Sequence, residues 1–230
     1  PQAVFEEANA LYEAKKYQEA AAHYKQLADT GQVSAAVYFN LGNANFRLGK
    51  YPEAVLYYEK ARLLAPADEE IQANLEIARE QTGDEIEAIE EFFLARWRSA
   101  FTHSMAVDTW AYISVGAFLL FLGGLALAFF GVYTRRKRMG FALGIVFFIV
   151  SLVAFANGRA LQDEITGRHE AIIFTPSVTL RSAPNPQSTS LSVFHAGNKV
   201  RILDQRNGWL EVRLINGKVG WLKEEDVRRI

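Results

Sequence analysis

Two apolar stretches, Trp110 to Tyr133 and Met139 to Ala156, flank the basic run Arg135-Arg136-Lys137-Arg138 and constrain this chain more than any other feature. An apolar helix needs roughly 20 residues to cross about 30 Å of hydrocarbon. The first stretch carries no charge, and the second is nearly as long and equally clean. The pattern predicts transmembrane helices over 110–133 and 139–156, closed into a hairpin by a basic loop, 134–138. Basic residues stay on the cytoplasmic side of a membrane, so the loop is expected inside the cell and both flanking regions outside. Function is then to be sought in two water-exposed domains held on the same side of one bilayer. An exported head needs a signal, yet the chain starts at Pro1 with no basic segment or apolar signal core. The expectation is a signal peptide that has been removed.

The hairpin takes about a fifth of the chain and leaves two ends of modest size, neither able to enclose a large catalytic core. Residues 1–91 hold 17 acids against 8 bases, and residues 157–230 hold 8 acids against 11 bases. Such an acidic head repels polyanions, which disfavours nucleic-acid binding. The absence of cysteine excludes disulfides, thiolate metal sites and cysteine nucleophiles together. His23, His103, His169 and His195 lie far apart without ligand-like neighbours, whereas a metal site needs convergent partners. There is no Gly-rich phosphate loop, serine elbow or obvious buried carboxylate pair. No catalytic, cofactor or metal site is therefore expected, and the chain reads as a non-enzyme.

The front of the chain repeats with a period of 34 residues. Tyr17, Ala20 and Tyr24 recur as Tyr51, Ala54 and Tyr58, and Ala8-Asn9-Ala10 recurs as Gly42-Asn43-Ala44. The small residues let paired helices approach closely, and the tyrosines fill the grooves between units that cannot bury one face alone. Pro66 closes the second unit, and Asp68 to Arg79, with Ile71, Leu75 and Ala78 at helical spacing, supplies a further packing helix. Residues 1–82 are read as two full repeats and a capping helix, and they resemble tetratricopeptide arrays. That resemblance implies peptide binding along a concave face built from the first helix of each repeat. The matching positions are Asn9, Tyr12, Asn40, Asn43, Arg47 and Asn74. Their amides either pair with a docked peptide backbone, whose groups need partners on losing water, or pair with neighbouring helices. Some members grip a chain terminus with a carboxylate clamp. Asn9 and Asn40 fit that clamp, but Phe5, Glu70 and Asn74 stand where it needs positive charge. A neutral or basic segment suits the acidic balance better.

In the neck, 83–109, Ile86, Ile89, Phe93, Trp97 and Phe101 recur every three or four residues and predict an amphipathic helix. It either lies at the lipid interface, with Arg96 and Arg98 beside Trp97, or packs under the repeats. Within the spans, Gly124 with Ala128 and Gly140 with Gly144 permit close backbone approach, within the hairpin or between two copies. No ionisable side chain lies inside either span, and ion pathways generally need one.

Past a linker, 157–170, the pattern changes to short strands: Ala171 to Phe174, Val178 to Leu180, Lys199 to Leu203, Trp209 to Leu214 and Val219 to Leu222. Asn207-Gly208 and Asn216-Gly217 are hairpin signals, because tight primed turns need positive φ. Residues 171–230 are expected to form a small all-β barrel. The order Val178, Leu180, Arg181, Pro184, then Gly197 to Val200, then Gly208-Trp209 and Gly220-Trp221, resembles the bacterial SH3 domain. That resemblance implies wall binding or protein interaction. Trp209 and Trp221, with Arg181 and Phe194 as neighbours, are either contact residues or core. Residues 157–230 contain no tyrosine, which removes the usual groove for proline-rich ligands.

The order of parts, together with Glu91-Phe92-Phe93-Leu94-Ala95-Arg96-Trp97-Arg98-Ser99 and Val107-Asp108-Thr109-Trp110, resembles the E-protein family of the Bacteroides aerotolerance operon. What that resemblance implies is a two-span protein of the bacterial inner membrane with both soluble domains periplasmic. It implies a scaffold linked to stress tolerance, beside membrane proteins with von Willebrand A domains and a MoxR-type ATPase. The alternative is a wall-sensing module that binds peptidoglycan and recruits a wall enzyme. Proteins, the lipid bilayer and peptidoglycan are the expected partners, with no nucleic acid and no cofactor.

Overall fold

A computed structural model of the chain describes residues 2–31, 34–82, 93–166 and 169–230. The chain divides into two compact units. One holds the repeats and the carboxy-terminal sheet, and the other is 93–166.

The repeats form five antiparallel helices: α1 (Gln2–Glu13), α2 (Tyr17–Asp29), α3 (Ala35–Arg47), α4 (Tyr51–Leu64) and α5 (Glu69–Glu80). Local chemistry sets their ends. Ser34 Oγ accepts from the Val37 amide, and Asp68 Oδ1 accepts from the amides of Glu70 and Ile71, which satisfies helix-start donors that have no partner within the helix. Gly49 ends α3 at φ +72°, a left-handed cap that glycine adopts without strain. One repeat earlier the same position is Lys15, held at φ +61°. The small residues act as their spacing predicts: a Cβ on Gly42 would lie 2.6 Å from the Tyr58 ring. Ala8, Ala20, Tyr24, Leu41 and Ala44 form one core cluster, and Ala54, Val55, Leu56, Tyr58, Leu75 and Ala78 form the main part of the next.

The second unit contains α6 (Phe93–Thr102), α7 (Val107–Phe130) and α8 (Thr134–Thr166). At 1.5 Å per residue, the 24 residues of α7 extend about 36 Å. The apolar parts of α7 and α8 have mean hydropathies of 2.3 and 2.6, yet only 11% and 22% of them is buried. Core helices of a water-soluble protein would be mostly buried; these present their apolar surface outward, as lipid-facing helices do. They pack through the expected glycines. A Cβ on Gly124 would meet the Gly140 carbonyl at 2.7 Å and the Gly144 Cα at 2.9 Å. Ser114 and Ser151 each donate to the other's backbone carbonyl, at 3.1 and 2.9 Å. Residues 134–138 lie in the opening turns of α8 rather than in an irregular loop, and the helix continues past Ala156 to Thr166. Arginine and lysine are good helix formers, and that preference outweighs the unfavourable placing of cations at a helix N-terminus.

The carboxy-terminal sheet has seven strands: β1 (Glu170–Ile173), β2 (Ser177–Arg181), β3 (Ser190–His195), β4 (Lys199–Arg206), β5 (Trp209–Leu214), β6 (Val219–Lys223) and β7 (Val227–Arg229). All pairings are antiparallel, in the order β3-β2-β6-β5-β4-β1-β7. Residues from every strand share one core, including Ala171, Leu180, Phe194, Val200, Val212, Leu222 and Val227, so the sheet curls around it. Asn207 and Gly208 both take positive φ and join β4 to β5 in a two-residue turn, as expected. At the second signal only Gly217 has positive φ, and Ile215 to Lys218 form a longer loop between β5 and β6.

Lys15 incurs the left-handed backbone cost that glycine avoids at 49. Lys15→Gly is expected to stabilise the array by about 1 kcal/mol. The check is a raised apparent melting temperature of the full chain in detergent, with Lys16→Gly as a control that gives no gain.

Candidate functional site

The first helices of the repeats, α1 and α3, and the capping helix α5 carry the asparagines at a 34-residue interval, and the structure links them into a ladder. Asn9 Oδ1 accepts from the Tyr24 hydroxyl at 2.6 Å and from Asn40 Nδ2 at 3.1 Å. Asn43 Oδ1 accepts likewise from Tyr58 at 2.7 Å and from Asn74 Nδ2 at 3.3 Å. Each half-buried amide therefore ties its own repeat to the next. Burial pushes the Tyr24 phenol up to about 12, opposed by a hydrogen bond with Asn40, and raises Tyr58 further still. Both phenols stay protonated and donate. The ladder commits the oxygens of Asn9 and Asn43 to the fold and leaves their Nδ2 donors outside these bonds. Beside it, Arg47 donates to the Tyr17 hydroxyl at 3.0 and 3.2 Å, and Tyr12 meets the Tyr17 ring edge-on at 5.2 Å. Arg47 remains exposed and oriented.

The four sheet residues separate. Phe194 is in the core, and Trp221 is 7% exposed beneath the Arg206 guanidinium, 5.6 Å from its ring centre. Arg181 Nη1 donates to the Ser188 carbonyl at 2.9 Å, which fixes the long turn after β2. Trp209 alone of the two tryptophans keeps a half-exposed face.

The most constrained site involves residues that the repeat and barrel patterns do not single out. Along β1, Ala171 and Ile173 point into the sheet core, whereas Ile172 between them packs among Ala54, Val55, Leu56, Tyr58, Leu75 and Ala78 of the array. Alternate residues of a strand face opposite ways, so an unbroken apolar run signals burial on both sides. Phe174 and Ile230 border the same contact. At its edge Glu59 of α4 is 0% exposed and is gripped by Arg62 at 3.0 Å, Arg79 at 2.5 Å and Lys199 of β4 at 3.1 Å. Lys199 also bridges to Glu170. Burial alone would raise the Glu59 carboxyl, but the attraction of Lys199, Arg62 and Arg79 outweighs it and lowers it from 4.5 to about 2. Gly197, at φ +98°, lies against Thr82 at the end of α5, where a Cβ would collide with the threonine side chain. Between these parts lies an open cleft of about 430 Å³ lined by Tyr51, Pro52, Gln81, Thr82, Pro176, His195 and Ala196. Among the described residues no three His, Asp or Glu side chains are grouped to hold a metal ion.

Comparison with known families fits these parts. Residues 5–69 match the tetratricopeptide repeat family, and residues 176–228 match the bacterial SH3 domain family. The chain carries both modules, together with two helices long and apolar enough to cross a membrane. Both are typically non-catalytic interaction modules. Strand β1, which makes the contact with the array, lies outside both matched segments. No curated protein matches the chain.

Replacing Glu59 with glutamine removes the buried charge that Arg62, Arg79 and Lys199 share, although Lys199 keeps Glu170 and Arg79 keeps the exposed Glu76. Removing one partner of a buried ion pair costs about 3–5 kcal/mol, and the low end applies because the cations are partly exposed. Glu59→Gln is therefore expected to lower the melting temperature of the full chain, whereas Glu80→Gln, exposed at the end of α5, leaves it unchanged. The Glu59 carboxyl is depressed in the folded chain, so its contribution is present above pH 4.5 and is lost as pH falls through about 2. Acid unfolding monitored by circular dichroism is expected to lose this component in the Gln variant.

Proposed function

We propose that this chain is a non-enzymatic scaffold anchored in the bacterial inner membrane, with its repeat and SH3 domains periplasmic. The observation that carries the reading is the contact through Ile172, Glu59 and Lys199, which joins two interaction modules into one unit. The hairpin separates these modules in sequence, so their contact requires both its ends to lie on the same side of a bilayer. Arg135 to Arg138, at the far turn, favour the cytoplasm for that turn and the periplasm for the joined unit. On this reading the division of the chain is repeats over 1–82, neck, two spans, linker and SH3 domain over 171–230.

The partner is a protein segment docked along the array beside Asn9, Tyr12, Asn40, Asn43, Arg47 and Asn74. The exposed Arg47 and the free amides of the ladder suit backbone carbonyls. The resemblance to the aerotolerance E proteins supports a stress-related complex with von Willebrand A-domain membrane proteins. The half-exposed Trp209 supports a second ligand for the SH3 domain, either protein or peptidoglycan. A common anchor raises the effective concentration of both partners, to about the millimolar range for short connections.

Crosslinking in intact cells, followed by purification and mass spectrometry, tests this reading. An Arg47→Ala variant is the comparison, because alanine at Asn9 or Asn43 would break the ladder and the fold with it. Recovery of von Willebrand A-domain proteins, reduced by roughly tenfold in the variant, is the expected result; that factor corresponds to about 1.4 kcal/mol. Recovery of wall fragments unaffected by Arg47→Ala but lost in Trp209→Ala would contradict it and favour the wall-sensing alternative.

A further inference from the structure

Helix α6 presents an aromatic stripe beside the membrane hairpin. Phe93, Trp97 and Phe101 are four residues apart and share one helical face. They are 63%, 79% and 50% exposed. Ser99 and Arg98, both exposed, lie away from that stripe. An exposed tryptophan of this size on a short helix needs an environment that accepts an apolar ring beside a polar N–H, and the bilayer interface is such an environment.

Three contacts fix α6 to one end of the hairpin. Trp110 Nε1 donates to the Thr102 carbonyl at 3.0 Å, Thr102 Oγ1 donates to Asn157 Oδ1 at 2.6 Å, and the Phe101 ring meets Trp110 edge-on at 5.2 Å. Trp110 is itself buried with Ala154 and Leu161 in the hairpin. Phe101 meets the buried side of α7 at Trp110, while Tyr112, Val115 and Leu119 are exposed on the opposite face of that helix. This end is separated from Arg135 to Arg138 by the full length of α7.

We infer that α6 is an in-plane interfacial helix whose Phe93, Trp97 and Phe101 stripe inserts among lipid headgroups and upper acyl chains, at the bilayer surface opposite the basic run. The inference rests on the hairpin being membrane-spanning. Its occupant is lipid because Thr102 and Trp110 fix α6 at the end of α7 and α8 where their exposed apolar surface begins.

The chain has no cysteine, so single spin labels can be placed on it without further change. The full chain, carrying Trp97→Cys, Ser99→Cys or Leu120→Cys, is reconstituted in vesicles of phosphatidylethanolamine and phosphatidylglycerol. Collision with oxygen and with a water-soluble nickel chelate then reads depth. Phe93→Cys repeats the measurement with Trp97 intact. The expected order of oxygen-to-nickel accessibility is Leu120 greatest, Trp97 and Phe93 several-fold above Ser99, and Ser99 near the value for water. Labels at 93 and 97 as open to nickel as that at 99, or shielded from both reagents, overturn the inference while Leu120 still reports insertion. A water-exposed label at Leu120 overturns the membrane reading and the inference with it.

Discussion

The carboxylate of Glu59 has no water around it, and the arrangement of the water-exposed unit depends on how its charge is met. An isolated buried carboxylate is costly enough to neutralise itself by taking up a proton. Three cations from three directions prevent this: Arg62 from its own helix, Arg79 from α5 and Lys199 from the distant sheet. Buried ion pairs of this kind contribute little net stability compared with apolar packing, and their best-attested effect is to select one arrangement. Ile172 supplies the favourable burial here, roughly 1.5–3 kcal/mol for a fully buried side chain. The ion cluster specifies that the sheet docks with Lys199 over α4.

This docking makes β1 a shared element. Its Ala171 and Ile173 complete the sheet core, while Ile172 completes the core of the last repeat. A repeat array ends with an apolar face that the next unit would cover, and terminal units need a cap. Helix α5 covers part of that face, and β1 with Ile230 covers more. The two modules thus meet through surfaces that each would otherwise expose to water. The ladder adjoins this contact, because the Tyr58 ring packs with Ile172 while its hydroxyl donates to Asn43.

Much of this was legible in the sequence because it is periodic. The 34-residue recurrence located α1 to α4, the spacing of Ile71, Leu75 and Ala78 located α5, two charge-free stretches located the long apolar helices α7 and α8, and Asn207-Gly208 located a hairpin. Strands β3 and β7 were not legible. Ser190 to His195 follows the Ser- and Pro-rich run 182–189, which reads as one long loop, and Val227 to Arg229 is too short and too charged to read as a strand. The opening of α8 was missed because the helix dipole disfavours four consecutive bases at an N-terminus, which points to a loop. Residues Ile86 and Ile89 of the predicted neck lie outside the described residues. Of the candidate contacts, Phe194 and Trp221 are mainly packing residues, because a small sheet needs large side chains to fill its core. Glu59 left one trace: it falls on the buried face of α4 with Val55 and Leu63, where an apolar residue is the rule. Its partner Lys199 is 140 residues away, and no local pattern joins the two.

The contact through Ile172, Glu59 and Lys199 is expected to make the array and the SH3 domain unfold as one body. Native-state hydrogen exchange on the full chain in lipid nanodiscs, comparing the wild type with Lys199→Met, tests it most directly. The account predicts that amides of α4, α5, β1 and β4 open with a common free energy, and that the substitution lowers all of them together. Loss of protection confined to the sheet, with α4 and α5 unchanged, would show two independent domains and contradict the account.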